Sequence, residues 1–253
     1  MFDAHCHLAY EDIDLEKAIE NAKKAGVRGI VMCAYPGDLQ SSLKILEKHR
    51  GFVHLSFGLH PIDIADMSDK EIEGYIDFIR KNRYKAVAIG ECGLDYHWYK
   101  ERGSGQDKKF VRFFEKCIEL SKELKLPLVL HTRKAEQECF DIIKRHGVEK
   151  AVFHCYSGNL TLAKQIIGSG FYISLATNIL GSKNTKKIAK SFPLDRLLTE
   201  TDSPYLSPVP GKKNEPANVK MVVGEIARLR GVSFEEVAKQ TTENAERFFG
   251  LEL

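Results

Sequence analysis

Residues 1–34, MFDAHCHLAYEDIDLEKAIENAKKAGVRGIVMCA, change their hydrophobic period twice. The first eight alternate as a strand does, with Phe2, Ala4, Cys6 and Leu8 on one face and Asp3, His5 and His7 on the other. Leu15, Ala18, Ile19, Ala22 and Ala25 then recur at helical spacing, and Gly26 ends the helix. GIVMCA, residues 29–34, is an unbroken apolar run, the pattern of a strand buried on both faces. Strand, helix and buried strand together predict parallel strands joined by a crossover helix.

The same cycle continues to the end of the chain. A helix through SSLKILEKH (41–49) leads to a strand in FVHLSFGLH (52–60), and DKEIEGYIDFIRKN (69–82) is an amphipathic helix with Ser68 as its cap. Strands follow in AVAIGECGLD (86–95), LPLVLHTR (126–133), AVFHCYSG (151–158), FYISLA (171–176) and RLLTETD (196–202). Helices separate them, the longest being residues 106–125, and two more close the chain in 216–231 and 233–250. Eight strand–helix units in a chain of this length predict a closed (β/α)8 TIM barrel, α/β in class, spanning 1–253 as one domain. An open doubly wound sheet is the alternative; no G-x-G-x-x-G follows the first strand to favour it.

The hydrophobic fraction of 43% is ample for a core, and 38 basic against 35 acidic residues leave a net charge of +3. That balance admits an anionic substrate but does not argue for a nucleic-acid-binding surface. The six cysteines are scattered singly, without a C-x-x-C pair, which suits free thiols in a reducing cytoplasm. No apolar run approaches the roughly 18 residues of a membrane span, and a first strand at the N-terminus leaves no room for a signal peptide. The expectation is a cytoplasmic protein with no membrane association and no obligate protein partner.

Polar residues recur where the strands end. His5 and His7 lie on the first, His60 just after the third, and Glu91 at the end of the fourth. His131, His154 and Asp202 end the fifth, sixth and eighth. In a barrel those ends open on one face, so residues far apart in sequence converge there. Neutral imidazole and carboxylate are ligands for divalent cations, and this set is large enough for two. Each has a plainer reading taken singly. His131 or His154 could be a core histidine, Glu91 a carboxylate paired with a base, and Asp202 before Ser203 and Pro204 a helix N-cap. Cys6, Cys92 and Cys155 each neighbour one of these residues and are expected to point toward the surrounding helices.

HCHL (5–8), GLHP (58–61), GECGLDYH (90–97), LPLVLHTR, FHCYSG (153–158), TETDSPYL (199–206) and GKKNEPANV (211–219) together resemble the TatD family of metal-dependent deoxyribonucleases and hydrolases. The resemblance runs in order along essentially the whole chain. It implies a TIM-barrel hydrolase with a two-metal centre, in which His5, His7 and Asp202 hold one ion and His131 and His154 the other. Glu91 would bridge both. It also places His60 near the centre and Asn214 and Glu215 in the loop after the last strand, as substrate contacts. The expected catalytic residues are Asp202, Glu91 and His60, with Arg133 either touching a phosphate or pairing with a barrel carboxylate. The expected cofactors are two divalent metal ions; zinc suits a histidine-rich site, manganese stays open and magnesium is less suited. The expected substrate is DNA, as single strands or strand ends, cleaved at a phosphodiester. The alternatives are an amidohydrolase-type enzyme acting on a small amide or ester and a barrel that has lost catalysis. Many amidohydrolases carry a carbamylated lysine where this chain offers Glu91. The stretch KERGSG, in the 100–106 loop, is this chain's own and is expected to overhang the site.

Overall fold

The computed structural model describes residues 1–10, 12–98 and 107–252; the 100–106 loop expected over the site lies outside the described residues. Eight strands run in chain order: β1 Phe2–Cys6, β2 Gly29–Ala34, β3 Val53–Phe57, β4 Ala86–Gly93, β5 Leu128–His131, β6 Ala151–Phe153, β7 Tyr172–Leu175 and β8 Leu197–Thr199. Each pairs in parallel with the next, in the order β1 to β8. Between them and after them lie α1 Leu15–Lys24, α2 Leu39–Lys48, α3 Asp69–Lys81, α4 Asp107–Leu124, α5 Glu136–Arg145, α6 Leu160–Gly168, α7 Lys183–Ser191, α8 Val219–Arg230 and α9 Phe234–Phe249. The barrel closes through a parallel bridge of Cys6 to Ser203. The His7 amide donates to the Ser203 carbonyl at 2.6 Å and the Asp202 amide to the His5 carbonyl at 3.0 Å. Asp3 stitches the same seam, accepting from the Thr201 amide at 2.8 Å and the Thr201 hydroxyl at 2.6 Å.

Alternation along the strands builds two cores. Ile30, Met32, Leu55, Leu128, Phe153 and Ile173 face outward under the helices. Val31, Ala88, Val129, Val152, Tyr172 and Leu198 face inward and meet Phe248 and Phe249 of α9. Asn244 of α9 donates to the carbonyls of Leu194 and Leu197, at the beginning of β8, so α9 plugs the N-terminal end of the barrel. Only the C-terminal end is left for a site. The cap read at Ser68 is present, as a reciprocal box in which Ser68 accepts from the Glu71 amide and Glu71 from the Ser68 amide.

The strand pairings shift register at three places, and two of them, in β1 and late in β4, bear on the site. The sequence reading put Phe2, Ala4, Cys6 and Leu8 on one face. Instead Phe2 and Ala4 join the barrel floor, whereas Cys6 and Leu8 pack outside. The register steps from Asp3 opposite Ile30 to Cys6 opposite Met32, so β1 carries one extra residue. That bulge inverts the parity and turns His5 and His7 inward. A second register shift, between Gly90 and Cys92, turns Glu91 inward while Cys92 stays in the outer core. Gly90 permits this: at φ +146° a Cβ there would lie 2.4 Å from the Val129 carbonyl oxygen.

Beyond β8 the expectation is also corrected. The strand stops at Thr199, and Asp202 adopts φ +57° in a turn closed by the Tyr205 amide on the Asp202 carbonyl at 2.9 Å. No helix starts there, so the N-cap reading of Asp202 is not realised.

Candidate metal centre

Glu91 lies at the middle of the open end, and its two oxygens face different groups. Oε1 is 2.5 Å from His131 Nδ1, 2.9 Å from His154 Nε2 and 3.8 Å from His60 Nε2. Oε2 is 3.5 Å from His5 Nε2 and 3.8 Å from His7 Nε2, and it accepts from the Tyr35 hydroxyl at 2.6 Å. Asp202 Oδ1 completes the second group, 3.6 Å from His5 Nε2 and 3.4 Å from His7 Nε2. The structure therefore brings together His5, His7, His60, Glu91, His131, His154 and Asp202. They come from six different strands or the turns that follow them.

The outer ring nitrogens are also engaged. His131 Nε2 pairs with Asp95 at 2.8 Å, and His154 Nδ1 lies 3.3 Å from Glu200. Glu200 is fixed in turn by the Cys155 amide at 2.7 Å and the Ser174 hydroxyl at 2.5 Å. Carboxylates behind imidazoles in this way orient a ligand ring and raise its basicity. His60 differs. Its Nδ1 accepts from the Ile62 amide at 3.2 Å, so in the neutral ring the proton sits on Nε2, aimed at Glu91.

Burial and mutual charge compete across the cluster. Burial pushes Glu91 up, but His154 and His131 prevail and hold its carboxyl well below the usual range. Asp202 is likewise lowered, against burial, by its hydrogen bond with His7 and by His154. Burial lowers His154 and His131, yet Glu91 and Glu200 raise the former well above an ordinary imidazole, and Asp95 and Glu91 raise the latter. His5 is lowered, chiefly by burial and by His154, and His60 is lowered to about 3 by burial and by His131.

The donor set fits divalent cations. Among the described residues, four groups each hold their ligand atoms within 4.8 Å of one another: His5 with His7, Cys33 and Glu91, His5 with His154 and Asp202, His60 with Asp95 and His131, and Glu91 with His131 and His154. The Nε2 atoms of His5 and His7 face each other at 3.1 Å, and His7 Nδ1 is buried without a hydrogen-bond partner among the described residues. Two imidazole nitrogens converging on carboxylate oxygens is the geometry a cation satisfies.

The remaining expected residues fare differently. Arg133 lies at the rim of a cavity of about 290 Å³ that His131, His154 and Asp202 also line. It pairs with no carboxylate among the described residues; its guanidinium sits 5.6 Å from the Trp98 ring centroid. Asn214 and Glu215, expected to touch substrate, are committed elsewhere. Asn214 is buried, donating to Thr177 Oγ1 and the Thr201 carbonyl and accepting from Asn218 and the Glu215 amide. Glu215 accepts from Asn21 of α1 at 2.8 Å, tying the loop to the outer helices. Cys6 and Cys92 point outward as expected, but Cys155, at φ +44°, lines the cavity because the chain has already left β6. Sequence reasoning missed Tyr35, Cys33, Asp95 and Glu200. Asp95 and Glu200 lie within the quoted GECGLD and TETD segments, so their acidic side chains were the available signal.

A parallel (β/α)8 barrel with imidazoles and carboxylates gathered at the C-terminal ends of its strands defines a metal-dependent hydrolase. Comparison with known proteins narrows the class. Residues 2–250 match the family described as TatD related DNase. The Bacillus subtilis uncharacterized metal-dependent hydrolase YabD is 38% identical over 98% of each chain. Human deoxyribonuclease TATDN3 is 32% identical over 98% of this chain and 94% of its own. The crystal structure of YJJV, a TatD homolog from Escherichia coli K12, superposes with TM-score 0.87 at 28% identity, covering 100% of this chain and 98% of that one. The chain belongs to the TatD related DNase family. It is an enzyme, a metal-dependent hydrolase acting on ester bonds.

Proposed function

We propose that this chain is a two-cation phosphodiesterase acting on DNA. His5, His7 and Asp202 would hold one ion, His131 and His154 the other, and Glu91 would present one oxygen to each. The carrying observation is the division of the Glu91 carboxylate, whose Oε1 faces His131 and His154 while Oε2 faces His5 and His7. Imidazole-rich ligation favours zinc, with manganese as second choice. When bound, such a pair polarises a phosphoryl oxygen and makes a nucleophile available from water near neutral pH.

The chain's own groups do the rest. Asp202, which lines the cavity, would accept the proton of an attacking water. His60 presents Nε2–H as a donor toward the reacting phosphate or its leaving oxygen. Arg133 offers a guanidinium for a phosphate oxygen at the rim. Exposed rings flank the site: Trp98 beside Arg133, and Tyr205, 52% exposed, hydrogen-bonded to Tyr10 and packed edge-on against His7. Bases splayed from a single strand stack on such rings, which supports single strands or strand ends as substrate. All six cysteines are free and five of them buried, which supports a reducing, cytoplasmic setting.

Zinc-soaked crystals mapped by anomalous scattering test the reading directly: two peaks flanking Glu91 are expected. Labelled single-stranded oligonucleotide should be cleaved by wild type and not by Glu91→Ala. A single peak remote from Glu91, or DNA cleavage unaffected by Glu91→Ala, would defeat it.

A further inference from the structure

Among the described residues six large hydrophobic side chains are exposed, and four of them, Trp98, Tyr205, Leu206 and Val209, stand on loops that leave the open end of the barrel. Exposed apolar groups gathered at one end of a molecule mark a surface for a ligand or partner.

Two of the four are aromatic rings, and the topology fixes where they stand. Trp98 follows β4 and Tyr205 follows β8, so in a barrel of eight strands in sequential order they lie half a turn apart, across the mouth. The histidine and carboxylate cluster lies between them. On one side the His97 and Trp98 amides donate to one oxygen of Asp95, whose other oxygen pairs with His131 Nε2. The Arg133 guanidinium, at the cavity rim, is 5.6 Å from the Trp98 ring centroid. On the other side Tyr205 packs 5.7 Å from the His7 ring and is joined hydroxyl to hydroxyl with Tyr10 at 3.1 Å. Trp98 is thus braced behind the group facing Glu91 Oε1, and Tyr205 behind the group facing Oε2. Both rings stay open to solvent, Trp98 at 39% and Tyr205 at 52%.

We propose that Trp98 and Tyr205 are two separate base platforms, one for each side of the cleaved phosphate, so that the smallest good substrate is a dinucleotide. The inference rests on the reading of the centre as a DNA phosphodiesterase and deepens it. A phosphodiester carries one substituent on each of two ester oxygens. With the phosphate over Glu91, the two nucleosides extend toward opposite sides of the mouth, and each meets a ring. Rings already held in place lose little freedom when a base stacks on them. Every base has a π-face, so the platforms tolerate any sequence. They select against phosphate monoesters and small alkyl esters, which reach one platform at most.

The test removes one base at a time from the substrate. Zinc-loaded protein is given the dinucleotide d(ApA) and two truncated forms, deoxyadenosine 3′-methyl phosphate and deoxyadenosine 5′-methyl phosphate, each with a methyl group in place of one nucleoside. kcat/KM should fall roughly 5- to 150-fold on each truncation. Trp98→Ala should abolish the penalty for one truncation and Tyr205→Ala the penalty for the other, while Trp98→Phe and Tyr205→Phe retain both. Zinc content and melting curves of the variants verify the centre and the fold. Trp98 is the only tryptophan, so its emission should be quenched when wild type is mixed with d(ApA), a readout that needs no substitution. Equal turnover of whole and truncated substrates, penalties that both alanine variants lose alike, unquenched emission, or d(ApA) left intact by protein that cleaves a longer strand each overturns the two platforms. Hydrolysis of the methyl esters without cleavage of any DNA removes the DNA reading itself, and the platforms with it.

Discussion

His60 and His131 sit ring to ring, 4.3 Å between centroids, yet their nitrogens face opposite tasks. His60 spends Nδ1 on a backbone amide and shows the site a donor, whereas His131 turns Nδ1 to Glu91 and Nε2 to Asp95. His60→Ala should therefore lower kcat on the order of 10²-fold while zinc content, read by plasma emission, stays at the wild-type value. His131→Ala or His154→Ala should lose zinc itself. The titration of these rings has a sign. His131 and His154 are raised above 6.5, so in the metal-free chain they keep their protons to a higher pH than free imidazole. Their stabilisation is complete below 6.5 and is lost as pH rises through the raised values, while the cation, which must displace those protons, binds better. The gap in Tm between zinc-loaded and metal-free protein should thus widen from about pH 6 to about pH 8. A constant gap would contradict the coupling.

At the scale of elements, the two bulges aim the site. An unbroken β1 would turn His5 outward among the helices, and β4 without its shift between Gly90 and Cys92 would do the same to Glu91. Gly90→Ala should accordingly destabilise by at least about 2 kcal/mol, from the clash with Val129 and the left-handed backbone. Urea titration measures the stability, and zinc content should fall with it because Glu91 is displaced. Helix α9 works at the other end. Phe248 is fully buried against Tyr172 and Phe249, and Phe248→Ala should cost about 3–5 kcal/mol. Zinc content in the surviving folded fraction should be unchanged, because the floor and the rim are opposite ends of the barrel.

Across the whole molecule, the proposed ligands, from β1, β4, β5 and the turns after β1, β6 and β8, meet only when the barrel closes. Cations binding such a site bind the folded chain alone, so they stabilise it as a whole. Zinc at 100 times its Kd should add about 2.7 kcal/mol per site to unfolding, and a chelator should reverse the gain. A chelator-treated protein with the same urea midpoint would show that the cluster does not hold metal. The seam matters here too, because Asp3 and Thr201 fasten β1 to the chain after β8 and so hold Asp202 opposite His5 and His7.

The barrel was legible in the chain because its signal is local: runs such as GIVMCA and the helical spacing of Leu15 to Ala25 record burial residue by residue. The clustered histidines and carboxylates were legible because each stood at a strand end, where topology alone makes distant residues neighbours. Tertiary structure decided what depends on parity and partners. One inserted residue in β1 reverses which side chains face in, and no alternation pattern reveals an insertion. Asn214 and Glu215 follow the family pattern as letters, but three-dimensional packing spends their hydrogen bonds on the loop and on α1. Cys33 reads as one more apolar residue until the fold brings its sulfur against the His5 ring and Ser56, because only the closed barrel makes β1, β2 and β3 neighbours there.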